Sequence, residues 1–129
     1  MDRSADWLKQ AKRDLQSARA QLEKGFYEWA CFIAQQASEK ALKAVYQKLG
    51  ADVWGHSLTD LCKGLQEKIN VSEELLNKAR FLDKFYIPAR YPNNWISGTP
   101  ADYITEGDAN DATGFAEEIL QFCDRILAG

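Results

Sequence analysis

Leu8, Ala11, Leu15, Ala18 and Leu22 recur at steps of three and four residues with charged residues between them. After Gly25 the spacing resumes through Trp29, Ile33, Ala37, Leu42, Val45 and Leu49, until Gly50. This period predicts an amphipathic helix over about residues 4–24 and a second over about 26–49. Glycine ends both, because it takes up the left-handed conformation that closes a helix without a steric penalty. Two long helices joined tightly at Gly25 must run antiparallel. In the second, Ala30, Ala34, Ala37, Ala41 and Ala44 form a small-residue face that lets a neighbour approach closely.

The remainder continues the helical theme. Ser57-Leu58-Thr59-Asp60 sets a capping hydroxyl three residues ahead of an acid and opens a short third helix with Leu58, Leu61, Cys62 and Leu65. Ser72-Glu73-Glu74-Leu75 repeats the device for a fourth carrying Leu75, Leu76, Ala79, Leu82 and Tyr86, and Thr105-Glu106-Gly107-Asp108 for a last through Leu127. No useful stretch alternates with period two. The expected fold is all-α, an up-down helical bundle of four to five helices forming a single domain over 1–129. Before the last helix, residues 88–104 hold all three prolines of the chain together with Tyr91, Trp95 and Tyr103, which predicts a stiff, aromatic-rich loop.

With 129 residues the chain can bury a core without covalent staples. Its longest apolar run falls far short of the about eighteen residues that a membrane helix needs, so no membrane association is expected. No apolar stretch follows the charged N-terminus, as a signal peptide would require, and the expected compartment is the cytoplasm. Cys31, Cys62 and Cys123 are odd in number, far apart and set among apolar helical neighbours, which reads as reduced core packing. One histidine and no Cys-x-x-Cys leave no ligand set for zinc, and no Gly-rich loop ending in Gly-Lys-Ser/Thr is present. Neither a metal nor a cofactor is expected.

The net charge of −3 gives no general attraction to nucleic acid, but the charge is unevenly spread. Residues 1–50 carry nine Lys/Arg against six Asp/Glu, and residues 101–129 one against seven. Such asymmetry can steer a phosphate-bearing ligand toward one face.

Certain residues go further than composition. They are Trp7-Leu8, Ala11 and Asp14-Leu15; then Gly25-Phe26-Tyr27 and the run Cys31-Phe32-Ile33-Ala34-Gln35-Gln36-Ala37-Ser38-Glu39-Lys40-Ala41-Leu42-Lys43-Ala44; then Gly50, His56-Ser57-Leu58 and Leu61; and finally Arg90-Tyr91-Pro92. Over residues 4–127 the chain resembles a HEPN domain. That resemblance implies a helical bundle that commonly homodimerises. It also implies either a subunit partnered with a minimal nucleotidyltransferase in a toxin–antitoxin-like pair, or a ribonuclease.

The family's ribonucleases place a histidine four to six residues after an arginine and work without metal. The histidine acts as general base or acid on the 2′-hydroxyl, and the arginine's planar fork of donors stabilises the phosphate. Here Arg90 is followed by Tyr91-Pro92-Asn93-Asn94-Trp95-Ile96-Ser97, so the histidine position is empty. The only histidine, His56, lies far upstream, where it is expected simply to pack at a helix start. If the chain is a ribonuclease, His56 and Arg90 are its catalytic candidates.

The expected function is therefore an interaction subunit that binds a nucleotide or RNA, a partner nucleotidyltransferase, or both. The ligand-binding candidates are Arg90 as phosphate clamp, Tyr91 as stacking face, Asn93 and Asn94 as neutral hydrogen-bonding groups, and Lys40 and Lys84 as added charge. Gln35, Gln36, Glu39 and Lys40 read equally as an internal polar network or dimer seam. A purely structural role for Arg90 would bury it against an acid such as Asp83.

Overall fold

A computed structural model describes residues 1–129. Six helices and one 3-10 turn make up the chain, with no strand: α1 (Ser4–Glu23), α2 (Tyr27–Lys48), α3 (Leu58–Leu65), α4 (Glu73–Asp83), the 3-10 turn Pro92–Asn94, α5 (Pro100–Tyr103) and α6 (Glu106–Ala128). The all-α expectation holds, with a helix count slightly above four to five. The additional helix, α5, is a single turn within the proline-rich segment. Pro100 sits in its first turn, and Asp102 Oδ2 accepts from both the amide and the hydroxyl of Thr99. No helix is long and apolar enough to cross a membrane.

α1 and α2 form the expected hairpin, turned by Gly25 at φ 84°, and α6 packs against both. Leu8, Ala11, Leu15 and Ala18 of α1 are buried against the small-residue face of α2. Ala30, Ala34, Ala37, Ala41 and Ala44 are fully inaccessible, so this face is consumed inside the bundle and is not offered to a second copy. Arg19–Glu117 and Lys12–Asp124 tie the exposed rims of α1 and α6. Cys31, Cys62 and Cys123 are free and buried, and burial pushes the first two thiols up to about 12. They pack as small hydrophobes with almost no thiolate at neutral pH.

Serines cap α3 and α4 as their sequences indicate: Ser57 Oγ accepts from the Asp60 amide and Ser72 Oγ from the Leu75 amide. α3 has a second cap from outside its own sequence. Asp83, the last residue of α4, accepts from the amides of Leu58 (2.7 Å) and Thr59 (3.0 Å) and from the Thr59 hydroxyl (2.7 Å). The carboxylate thus covers the first orphan donors of α3 and sits at its positive end, welding the two helices together. The segment after α4 is ordered by its aromatics. Trp95 donates its indole N–H to the Pro88 carbonyl (2.8 Å) and stacks on Tyr103 at 4.5 Å, and Tyr103 donates to the Ser97 carbonyl.

Candidate functional site

The polar run of α2 lies buried beneath the N-terminus of α3. Gln35 donates to the backbone carbonyl of His56 (2.9 Å) and Gln36 donates to the Gln35 side-chain carbonyl (2.8 Å). Glu39, whose side chain is only 9% exposed, accepts from Lys43 (3.0 Å) and lies 3.0 and 3.1 Å from His56 Nδ1 through its two oxygens. This is the internal polar network that the sequence allowed, and it holds both the backbone and the ring of His56.

His56 does more than fill space at a helix start, contrary to the sequence-based expectation. Its side chain is 54% exposed and stacks on Tyr86, with centroids 4.5 Å apart and planes 17° from parallel. A carboxylate on Nδ1 favours the tautomer that donates there, and Nε2 makes no hydrogen bond within the protein. Gly55, at φ 99°, provides the left-handed turn that leads into the histidine.

Arg90 arrives at the same ring from the other side of the sequence. Its Nε donates to the Tyr86 carbonyl (2.8 Å), and its guanidinium carbon lies 4.8 Å from the Tyr86 ring, 4.5 Å from Phe32 and 5.2 Å from Tyr91. These contacts hold the planar cation against aromatic faces before any ligand arrives. Its terminal nitrogens have no protein acceptor. No buried side-chain polar atom lacks a partner, so these nitrogens face solvent. No carboxylate pairs with Arg90. Asp83, the acid that a structural role would have required, is engaged at α3 instead.

Tyr86 is therefore a shared platform for the only histidine and for Arg90, the two residues that the sequence keeps far apart. Tyr91 is exposed beside the guanidinium, and Asn93 and Asn94 follow in the exposed 3-10 turn with side chains free of protein partners. Two of the candidates belong elsewhere. Lys40 pairs with Asp14 of α1 and lines a separate cleft with Arg3, Asp6, Trp7 and Gln10. Lys84 sits with its ammonium 5.3 Å over Phe81, and Arg80, four residues before it, bonds Glu73 and Asn77. Neither lysine shares a partner with Arg90.

Sequence reading missed Tyr86 and Phe32 as site residues, and the pairing of Glu39 with His56. Tyr86 and Arg90 lie past the end of α4, in a run of turns closed by the Arg90 amide on the Ile87 carbonyl, and helical spacing gave no signal of their contact. Nothing in the sequence linked either residue to position 56. Chemically, the assembled set offers a fixed fork of donors, an imidazole with one open nitrogen, and aromatic faces. Such a set suits a phosphate flanked by a flat ring.

The HEPN domain family model matches residues 4–126. Among solved structures, TT1696 from Thermus thermophilus is 44% identical with a TM-score of 0.95, covering 98% of this chain and 99% of that one. ST0689, described as an archaeal HEPN homologue, is 42% identical with a TM-score of 0.82 over 98% and 99% of the two chains. A HEPN domain protein from Thermotoga maritima, tm0613, is 37% identical with a TM-score of 0.80 over 95% and 98%. A protein of Methanocaldococcus jannaschii named "Putative toxin MJ1304" is 27% identical, covering 94% of this chain and 86% of its own length.

Proposed function

This chain belongs to the HEPN domain family, and from that premise we propose that it is the HEPN subunit of a toxin–antitoxin-like pair, binding nucleotide or single-stranded RNA at the Tyr86 platform and docking a minimal nucleotidyltransferase. The convergence of Arg90 and His56 on Tyr86 carries this reading, because it provides a pre-held phosphate clamp beside aromatic faces without a carboxylate to neutralise it. The resemblance to a protein named as a toxin supports the pairing.

A second reading, a ribonuclease, is favoured by one observation: the buried Glu39 carboxylate holds His56 through Nδ1 and leaves Nε2 without a protein partner. In that chemistry Nε2 takes the proton of a ribose 2′-hydroxyl, whose oxygen attacks phosphorus. The 5′-oxygen leaves, and Arg90 stabilises the charge on the phosphoryl oxygens. One experiment tests both readings. With labelled single-stranded RNA and a chelator present, the binding reading expects saturable binding with the RNA left intact. Cleavage that vanishes in both His56→Ala and Arg90→Ala would promote the ribonuclease reading, and an absence of any binding would sink both.

We also infer a homodimer. Phe26, Trp29, Ile87, Tyr91 and Ile96 remain exposed, large apolar side chains that a second copy would cover. Light scattering at low micromolar concentration is expected to give twice the chain mass. A monomer would reject the assignment.

A further inference from the structure

Two residues before His56 the chain presents Trp54, with 91% of its surface exposed. An indole left so open adds almost nothing to the core, and large aromatics held in water commonly serve a partner. Trp54 lines a cleft of about 290 Å³ together with Trp7, Lys43, Gln47, Asp52 and Val53. Lys43 joins the cleft to the site already described, for its ammonium is bound to the Glu39 carboxylate that holds His56. The backbone joins them as well, since Trp54 and His56 are separated only by Gly55 and two residues of chain span at most about 7 Å.

The lining narrows the occupant. Two indoles and Val53 give apolar, flat walls. At the rim, Gln47 donates to Asp52 Oδ1 (3.0 Å), leaving the second Asp52 oxygen and the Gln47 carbonyl as acceptors. A phosphate is disfavoured beside the Asp52 carboxylate. A neutral flat ring whose edge donates hydrogen bonds is favoured, and this is the chemistry of a nucleobase carrying an exocyclic amine.

We propose that this cleft is a nucleobase subsite of the RNA site: the base next to the nucleotide whose phosphate meets Arg90 stacks on Trp54, with its edge toward Gln47 and Asp52. This deepens the proposed RNA-binding reading and rests on it. The site thereby extends along the chain to more than one nucleotide, and the length of the ligand becomes the readable quantity.

The test compares a short single-stranded oligoribonucleotide with a mononucleotide by anisotropy or calorimetry on the wild type, Trp54→Ala, Trp54→Phe and Arg90→Ala. Trp54→Ala is expected to weaken the oligomer about tenfold or more, as loss of one base–aromatic stack does, and to leave mononucleotide binding and the melting temperature unchanged. Trp54→Phe should recover most of the loss. Equal oligomer affinity in wild type and Trp54→Ala, with Arg90→Ala defective, would overturn the subsite and leave the proposed function standing. No oligomer binding by the wild type would overturn both. Unchanged RNA affinity with lost association to a co-expressed protein partner would make the occupant a protein side chain and reject the subsite.

Discussion

Arg90→Ala is expected to weaken binding of single-stranded RNA by about ten- to a hundredfold, the worth of a charge-assisted hydrogen bond of about 1.5–3 kcal/mol. The guanidinium uses only its Nε–H within the protein, on the Tyr86 carbonyl, and its terminal nitrogens have no protein acceptor. Arg90→Lys should lose nearly as much, despite keeping the charge. An ammonium cannot lie flat against Phe32 and Tyr86 while presenting two parallel donors to a phosphate. The Nε bond and the stacked contacts are part of the fold, so both variants should also lose about 1–2 kcal/mol of stability. Titration and thermal melts on the same samples separate the effects. A fall in stability with unchanged RNA affinity would make Arg90 a purely structural residue.

Asp83→Ala should cost more stability than either Arg90 variant. Its carboxylate receives two backbone amides and a hydroxyl at the start of α3, and deletion strands those donors in a half-buried crevice. Loss of a helix cap costs about 0.5–2 kcal/mol and unsatisfied buried donors about 1–3 kcal/mol each, so a total near 3 kcal/mol is expected. For a domain of this length that lowers the melting temperature by about 10 °C. The effect should reach the site, because His56 immediately precedes the Ser57 cap that Asp83 anchors. RNA affinity should therefore fall even though Asp83 contacts no ligand. Asp83→Asn, which keeps an acceptor oxygen, should retain a substantial part of both. A melting temperature within about 2 °C of wild type for Asp83→Ala would refute the double cap.

Helix identity was legible because it depends on local spacing. Apolar residues at three- and four-residue steps, glycines at 25 and 50, and hydroxyls three residues ahead of an acid or a first-turn amide are interactions among near neighbours in the chain. These determined an all-α bundle, and the Gln35–Lys43 run together with Arg90-Tyr91-Pro92 was enough to point to the family that the chain belongs to. The one-turn helix α5 was written in Thr99-Pro100 and Asp102, but in a segment whose prolines read first as loop.

The site was not legible in the same way. Lys40 carries the right charge at the right helical spacing, yet Asp14, twenty-six residues away on α1, takes it. The alanines of α2 have the pattern of an interface, and only the packing of α1 and α6 on the same stripe shows that the interface is internal. His56 stands more than thirty residues from Arg90 in sequence, and nothing local couples the two. What joins them is one residue, Tyr86, reached by the histidine because Asp83, Gln35 and Glu39 fix the start of α3, and by the arginine because the turns after α4 fold it back so that its Nε bonds the Tyr86 carbonyl. Local periodicity fixes which segments are helices; which side chains meet depends on how the helices lie across one another, and that is set by burial and long-range hydrogen bonds.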